Sequence, residues 1–444
     1  MIELSPTIVT VIMMGAFIGG VLSGYPLAIV TGGAGVIIGF LLFGQPVFNI
    51  IYMQMFGILA NYVLLALPLF VFMGIMLGHS GIADRMYGAL YQWFGGFRGG
   101  LAITTVLLGT ILAATVGVVA AAVTMLTLVA LPPMVRRGYS KAMATGACCA
   151  GGSLGILIPP STLLIVYGPM ARISVGKLFF GAFGPGLLLS ILYCTYIAII
   201  SFIRPKMAPA VPVEERNVPF IKKTTMLLTS MAPTALLIMG VLGTIFLGIA
   251  APTEAAAVGA FVATLLALAY RKLNWAVLKE AGTQTVKNSG MIFLIAASSV
   301  AFTAVFLRAG GGEVVQNFIL SFPFGRWGAF ALIMLICFLL GYIIIDLGII
   351  FIMVPIITPI FKTLGFDPVW AAIMVNINLQ MSYMTPPMAI AIFFVRGTAP
   401  PELGINIGDI IRGVIPFVFL IMIGLALCTV LPQIITWLPG MMIE

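Results

Sequence analysis

The sequence predicts an all-α polytopic membrane protein made of two related halves with inverted topology. Apolar residues make up 62% of the 444 residues, and charged residues make up 7%. Soluble proteins carry about 25% charged residues, so this chain cannot build a water-exposed surface of the usual kind. The composition therefore excludes a cytosolic enzyme, a nucleic-acid-binding protein and a disordered chain.

A nearly constant spacing between matching motifs indicates that the two halves are related. Three dipeptides recur 227 residues later, namely Pro6-Thr7 as Pro233-Thr234, Gly138-Tyr139 as Gly365-Phe366, and Pro159-Pro160 as Pro386-Pro387. The most polar stretch separates the two copies. We therefore predict a first repeat at 1–203, a linker with an amphipathic segment at 204–225, and a second repeat at 226–444.

Each half is predicted to contain a re-entrant hairpin and a broken helix. Apolar segments within about 99–132 are too short for easy crossing, and basic residues bound both outer ends of the pair (Arg98; Arg136 and Arg137). They are interpreted as a hairpin with its tip near Thr115-Val116-Gly117. A helix over 141–168 follows. The second half repeats the pattern, with a hairpin at about 327–361, its tip near Ile345-Asp346, and a helix over 368–395.

The broken helices are predicted to hinge at their proline pairs, Pro159-Pro160 and Pro386-Pro387, because proline removes a backbone donor and interrupts a helix. The alternative is that these prolines only kink ordinary spans. Repetition of the break at matching positions favours the interruption.

Charge predicts the orientation. If each half crosses the membrane an odd number of times, the second half is inverted relative to the first. With the linker in the cytoplasm, five of the 21 basic residues lie outside, namely Arg172, Lys177, Arg308, Arg326 and Lys362. The positive-inside rule favours this arrangement over its opposite. We expect a multi-pass protein of a bacterial or archaeal cytoplasmic (inner) membrane.

Interrupted helices near the membrane midplane are typical of secondary transporters. Helix N-termini there suit carboxylates, and freed carbonyl groups suit Na⁺. The sequence contains no P-loop, zinc-protease motif or nucleophile elbow, so we expect a transporter driven by an ion gradient and not an enzyme.

Polar residues at the tips and breaks are the candidate site. The predicted Na⁺ ligands are Thr115, Gly117, Ser153, Gly155, Ile158, Asp346, Ser382 and Thr385. At the repeat spacing, Ser153 aligns with Gln380. The predicted substrate contacts are Arg308, Asp346, Thr115 and Asn378.

Three alternatives remain open for these residues. Asp346 is also compatible with a cap at the hairpin tip, although an ionised Asp at the bilayer centre costs roughly 2.5–3.5 kcal/mol. Arg308 is also compatible with snorkelling to lipid headgroups. Asn376 and Asn378 are also compatible with hydrogen bonds between helices.

Several motifs resemble the large membrane subunit of tripartite ATP-independent periplasmic (TRAP) transporters. They are residues 131–139 (LPPMVRRGY), 155–161 (GILIPPS), 251–257 (APTEAAA) and 378–387 (NLQMSYMTPP). The resemblance covers essentially the whole chain. It implies an elevator-type fold, with both hairpins and both broken helices in the moving part.

The resemblance also implies Na⁺-coupled import of a small carboxylate, such as a 2-oxo acid or a dicarboxylate. It implies two partner proteins: a separate small four-helix membrane subunit and a periplasmic substrate-binding protein. No organic cofactor is expected. The alternative is a proton-coupled organic anion symporter that acts without a binding protein and uses Asp346 as proton carrier.

Overall fold

The protein is helical throughout the regions described by the structure, a computed structural model that covers residues 4–117, 119–212 and 219–442. Within these ranges, eight helical stretches are long and apolar enough to cross a membrane. The predicted all-α membrane class is therefore confirmed.

The first half ends with a hairpin, a broken helix and one long helix. Its helices are α1 (Pro6–Leu22), α2 (Leu27–Phe43), α3 (Pro46–Leu59), α4 (Ala66–His79), α5 (Ile82–Phe94), α6 (Gly100–Val116), α7 (Val119–Val129), α8 (Leu131–Arg136), α9 (Lys141–Ser153), α10 (Thr162–Ala171) and α11 (Val175–Ile203). Helices α6 and α7 form the first hairpin. Helices α9 and α10 are the two parts of the first broken helix.

The second half repeats this order. Its helices are α12 (Phe220–Phe246), α13 (Pro252–Ala269), α14 (Trp275–Arg308), α15 (Gly311–Leu320), α16 (Gly325–Leu340), α17 (Asp346–Thr363), α18 (Pro368–Met384), α19 (Ile390–Thr398), α20 (Ile407–Val430) and α21 (Gln433–Thr436). Helices α16 and α17 form the second hairpin, and α18 and α19 form the second broken helix.

Glycines with left-handed backbone begin equivalent helices in the two halves. Gly81 has φ 73° and precedes α5, and Gly310 has φ 83° and precedes α15. Each of these amphipathic helices leads into the first arm of a hairpin. A side chain at such φ values is strained, so glycine is the residue that allows both sharp turns.

Helix α14 is longer than the apolar span at about 289–307 that its hydropathy predicts. It runs for 34 residues, or about 51 Å at 1.5 Å per residue. Lys279, Glu280 and Lys287 make its first part polar, so that part reads in the sequence as a loop. The first half uses two shorter helices, α3 and α4, in the corresponding position.

Two further differences concern the linker and the amphipathic helices. Helix α12 begins at Phe220, inside the range 204–225 predicted as linker. Residues 213–218 of that range lie outside the described residues. Helices α5 and α15 do not stand out in the sequence, because short amphipathic segments are easily interpreted as loops between spans.

The helices pack into two groups. Helices α1–α4 and α12–α14 pack mainly on one another, with α13 against α4 and α14 against α2 and α3. We call this group the frame unit. Helices α6–α11 and α16–α20 contain both hairpins and both broken helices, with α9 packed against α6 and α20. We call this group the hairpin unit.

Glycines allow close packing inside the hairpin unit. A Cβ added to Gly109 of α6 would lie 2.6 Å from the backbone of Gly151 in α9. The two helices can approach this closely only because neither residue has a side chain, which is a common feature of helix pairs in membranes.

We expect Gly109→Ala to lower the stability of the protein by about 1–3 kcal/mol, because the added methyl group overpacks the contact between α6 and α9. The matched variant Gly57→Ala lies in α3 with no atom near the added Cβ. It should raise stability by about 0.5–1 kcal/mol, because alanine favours the helix. Thermal unfolding in detergent measures both, and equal effects would contradict the packing argument.

Candidate functional site

Both hairpins and both helix breaks meet at one cavity of about 660 Å³. It lies between the hairpin unit and the frame helices α4 and α14. The polar and tip residues that line it are Gly117, Thr124, Thr162, Glu280, Gln284, Asn288, Ile345, Asp346 and Tyr383. The cavity joins parts of the chain that are more than 200 residues apart in the sequence.

The tip of the first hairpin contacts the first break. Gly117 ends α6 with φ 62°, and the Thr162 hydroxyl donates a hydrogen bond of 3.1 Å to the Gly117 carbonyl. A Cβ at Gly117 would lie 2.5 Å from the Pro160 carbonyl oxygen. Residue 117 therefore has to be glycine, for its backbone angle and for its close approach to the break.

The second hairpin contacts the second break in a similar way. A Cβ at Gly341 would lie 2.5 Å from the Ser382 Cβ. One helical turn before Ser382, the Asn378 side-chain amide donates a hydrogen bond of 2.7 Å to the Met334 carbonyl in α16. Asn378 therefore ties α18 to the hairpin, as expected of a polar residue that links helices.

A hydrogen bond joins the two broken helices. The Gln380 Nε2 donates to the Ser153 Oγ at 3.2 Å, and both side chains are fully buried. These residues are the pair aligned by the repeat. The bond therefore connects equivalent positions across the interface between the halves.

Three buried oxygen atoms near the breaks have no hydrogen-bond donor among the described residues. They are the Asp346 Oδ1, the Asn376 Oδ1 and the Gln380 Oε1. Carboxylate and amide oxygens left without donors suit a hard cation such as Na⁺. These three oxygens favour a cation site, because a buried acceptor without a hydrogen-bond donor otherwise lowers the stability of the protein.

The predicted Na⁺ ligands occupy different depths around the cavity. Gly117 and Asp346 line it. The other predicted ligands do not line it: Thr115, Ser153, Gly155, Ile158 and Ser382 are buried, and Thr385 is half-buried. The hydroxyls of Thr115, Ser382 and Thr385 each donate to a carbonyl in the preceding turn of their own helices, at 2.9, 2.6 and 2.7 Å. Their lone pairs therefore stay available to a cation.

The two proline pairs lie at the breaks but differ in exposure. Pro159 and Pro160 are buried, whereas Pro386 and Pro387 are exposed. Both Pro-Pro peptide bonds are cis.

Asp346 stands at the first position of α17. The N-cap residue is Ile345, whose side chain makes no cap hydrogen bond. The carboxylate is 3% exposed and faces the cavity beside Tyr383. Its position at the positive end of the helix dipole stabilises the negative charge.

Arg308 is not part of this cavity. It is exposed at the last residue of α14 and lines a separate cavity of about 450 Å³. Twenty residues of α14, or about 30 Å, separate it from Asn288. The structure therefore does not bring Arg308 together with Asp346, Thr115 and Asn378.

The frame unit contributes three residues to the cavity that were not predicted from the sequence. Glu280, Gln284 and Asn288 follow one another at every fourth position of α14, so they share one helix face. Glu280 also lies 4.0 Å from His79. The four-residue spacing of these polar side chains could have indicated a polar helix face. The charged residues around them instead indicated a loop.

Solved structures of two membrane proteins share this fold. The Alcanivorax borkumensis YdaH transporter matches with a TM-score of 0.64 and 16% identity, over 88% of this chain and 90% of that chain. The Neisseria gonorrhoeae MtrF protein matches with a TM-score of 0.57 and 14% identity, over 96% and 94%. These likenesses support the predicted elevator-type fold.

Sequence comparison identifies closer relatives. The C4-dicarboxylate TRAP transporter large permease DctM of Pseudomonas aeruginosa is 31% identical over 90% of this chain and 91% of the relative. The ectoine permease TeaC of Halomonas elongata is 27% identical over 97% and 98%. The sialic acid permease SiaM of Vibrio cholerae is 28% identical over 88% and 89%.

The family model described as the DctM component of tripartite ATP-independent periplasmic transporters matches residues 11–434. This match covers nearly the whole chain, including both hairpins and both broken helices. The chain therefore belongs to the family of TRAP transporter large permeases.

Proposed function

We propose that this large permease imports a small organic anion together with Na⁺, by an elevator movement of the hairpin unit. The main support for this proposal is the charge of the central cavity. Its lining includes the carboxylates Asp346 and Glu280, and no described lining residue is basic. A carboxylate substrate bound there needs cations beside it, because like charges at low dielectric repel strongly.

The oxygen atoms without donors supply a place for those cations. Asn376 and Gln380 are one helical turn apart on α18, so their free amide oxygens lie on one helix face. Ser153 faces Gln380 from the other broken helix. Na⁺ bound among such oxygens would hold the breaks together and offset the negative charge of the cavity and of the substrate.

The length of α14 supports the proposed elevator movement of the hairpin unit. The central cavity lies beside Glu280 to Ile292, whereas the 450 Å³ cavity lies beside Val300 to Arg308. From Asn288 to Thr303, α14 rises about 22 Å. A hairpin unit that slides along this helix by a similar distance would move the site from one side of the membrane to the other.

The proposed orientation and partners follow from the charge distribution and from the family. The linker faces the cytoplasm of a bacterial or archaeal cell, and the central cavity opens inward in this conformation. A small four-helix membrane subunit completes the frame. A periplasmic binding protein delivers the anion, for which C4-dicarboxylates and 2-oxo acids are the first candidates.

A zwitterionic substrate is the second candidate. A cavity with acidic residues and no basic ones also suits a solute that carries its own positive charge, and the Halomonas elongata relative is named for ectoine. A panel of dicarboxylates, 2-oxo acids and ectoine distinguishes the two substrate classes.

We expect uptake into proteoliposomes to require an inward Na⁺ gradient, both membrane subunits and the loaded binding protein. Radiolabelled substrate measures uptake under separate Na⁺ and pH gradients. Uptake that needs a pH gradient and persists without Na⁺ would support the proton-coupled symporter. Uptake without the binding protein would contradict tripartite delivery.

We expect Asp346→Asn to reduce Na⁺-driven uptake about 10–100-fold, because the cavity loses a charged cation ligand. The matched variant Asp367→Asn should keep wild-type uptake. Asp367 is exposed and caps α18 through a hydrogen bond from the Trp370 N–H, and asparagine caps a helix equally well. If Asp346→Asn kept the wild-type Na⁺ dependence of uptake, Asp346 would not be a ligand of the cation site.

We expect Gln380→Met to raise the Na⁺ concentration for half-maximal uptake about tenfold. Methionine has a similar volume but lacks the free amide oxygen and the donor to Ser153. Gln433→Met, at an exposed position, is the control and should leave the Na⁺ dependence unchanged. A shift in maximal rate without a shift in Na⁺ dependence would indicate a purely structural role for Gln380.

A further inference from the structure

A second cavity, of about 450 Å³, lies at the opposite end of α14 from the central cavity. The frame unit contributes α3 and α14 to it, with Gln54 and Arg308. The hairpin unit contributes the end of α10 with Arg172, and Pro355 of α17. The cavity therefore lies between the two units, as the central cavity does.

The charge of this cavity is opposite to that of the central cavity. Arg172 and Arg308 are the charged residues among its described lining, and no acidic residue lines it. Neither guanidinium has a hydrogen-bond acceptor or a carboxylate partner among the described residues. Both are exposed, so their fork-shaped donors are available to a carboxylate.

Local backbone structure explains why these two charges are tolerated here. Arg308 is the last residue of α14, and Arg172 is the C-cap of α10, with φ 57°. The helix dipoles stabilise positive charge at both positions without using the side-chain donors. Both residues also belong to the small set predicted to lie on the outer side.

We propose that Arg172 and Arg308 form an outer anion site, which receives the substrate carboxylate before it reaches the central cavity. The proposal rests on the proposed import of an organic anion and specifies where that anion first binds. One arginine comes from each unit, so movement of the hairpin unit separates them. The pair is assembled in this inward-open conformation, so the anion would be released from it as the hairpin unit returns outward and the central cavity becomes accessible from the outer side.

The test replaces each arginine by cysteine in the complete transporter, with both membrane subunits and the binding protein. We expect Arg172→Cys and Arg308→Cys each to raise the half-saturating concentration of loaded binding protein about tenfold, with maximal uptake within about twofold of wild type. An external thiol reagent that adds a positive charge should return the half-saturating concentration toward the wild-type value. A reagent that adds a negative charge should not. Four native cysteines are buried and Cys194 is partly buried. Wild-type transporter treated with the same reagents controls for labelling of these native cysteines.

Arg326→Cys is the matched control. Arg326 belongs to the same predicted outer face but stacks on Trp327 and Phe366 and lines neither cavity. It should keep wild-type kinetics. Unchanged half-saturation in both Arg172→Cys and Arg308→Cys would overturn the outer site, as would equal rescue by both reagents.

Two further measurements separate this proposal from lipid binding and from the proposed function. A defect seen only in liposomes with anionic lipid would show that the arginines bind headgroups, which overturns the proposal. Succinate should protect a thiol introduced by Gln54→Cys from labelling, whether or not transport occurs, because Gln54 lines the cavity and its replacement leaves both arginines in place. Protection without any uptake would reject the proposed function but support the anion site, and absence of protection would contradict the site.

Discussion

Backbone groups inside a bilayer have no water to bind, and this constraint governs the centre of the protein. Each helix break and hairpin tip leaves N–H and carbonyl groups without partners in their own helix. Here the parts of the hairpin unit satisfy one another. The Thr162 hydroxyl donates to the Gly117 carbonyl at the first hairpin tip, and the Ser161 hydroxyl donates to the Ile156 carbonyl at the first break. The buried oxygen atoms left without donors in the described part of the chain include the Asp346 carboxylate and the Asn376 and Gln380 amides, which suit a cation.

The distribution of charge along α14 gives the proposed transport a direction. Its N-terminal half borders a cavity with carboxylates, and its C-terminal end borders a cavity with two arginines. The arginines of the 450 Å³ cavity attract an anion directly. In the central cavity, an anion needs co-bound cations to offset the carboxylates. In the proposed mechanism this difference would couple anion entry to Na⁺ binding, and loss of Na⁺ to a cytoplasm poor in Na⁺ would release the anion there.

Much of the architecture was predictable because the bilayer imposes simple rules on sequence. Low charge, short apolar segments and paired prolines predicted the hairpins and the breaks, and the repeat aligned Ser153 with Gln380 before any contact was known. Residues at Glu280, Gln284 and Asn288 were missed because their helix extends beyond the apolar span. Arg308 was grouped with Asp346 by chemical type, although about 30 Å of helix separates Arg308 from Asn288 at the central cavity.

The sequence by itself therefore determined the class, the repeat and the interrupted helices, because these depend on hydropathy and on proline along the chain. Tertiary structure decided which polar groups share a cavity. It brought Gly117 and Asp346 together, added the polar face of α14, and paired Arg308 with Arg172 at the far end. Such groupings depend on how helices from the two halves pack, and no local pattern encodes the distance between residues that are more than a hundred positions apart.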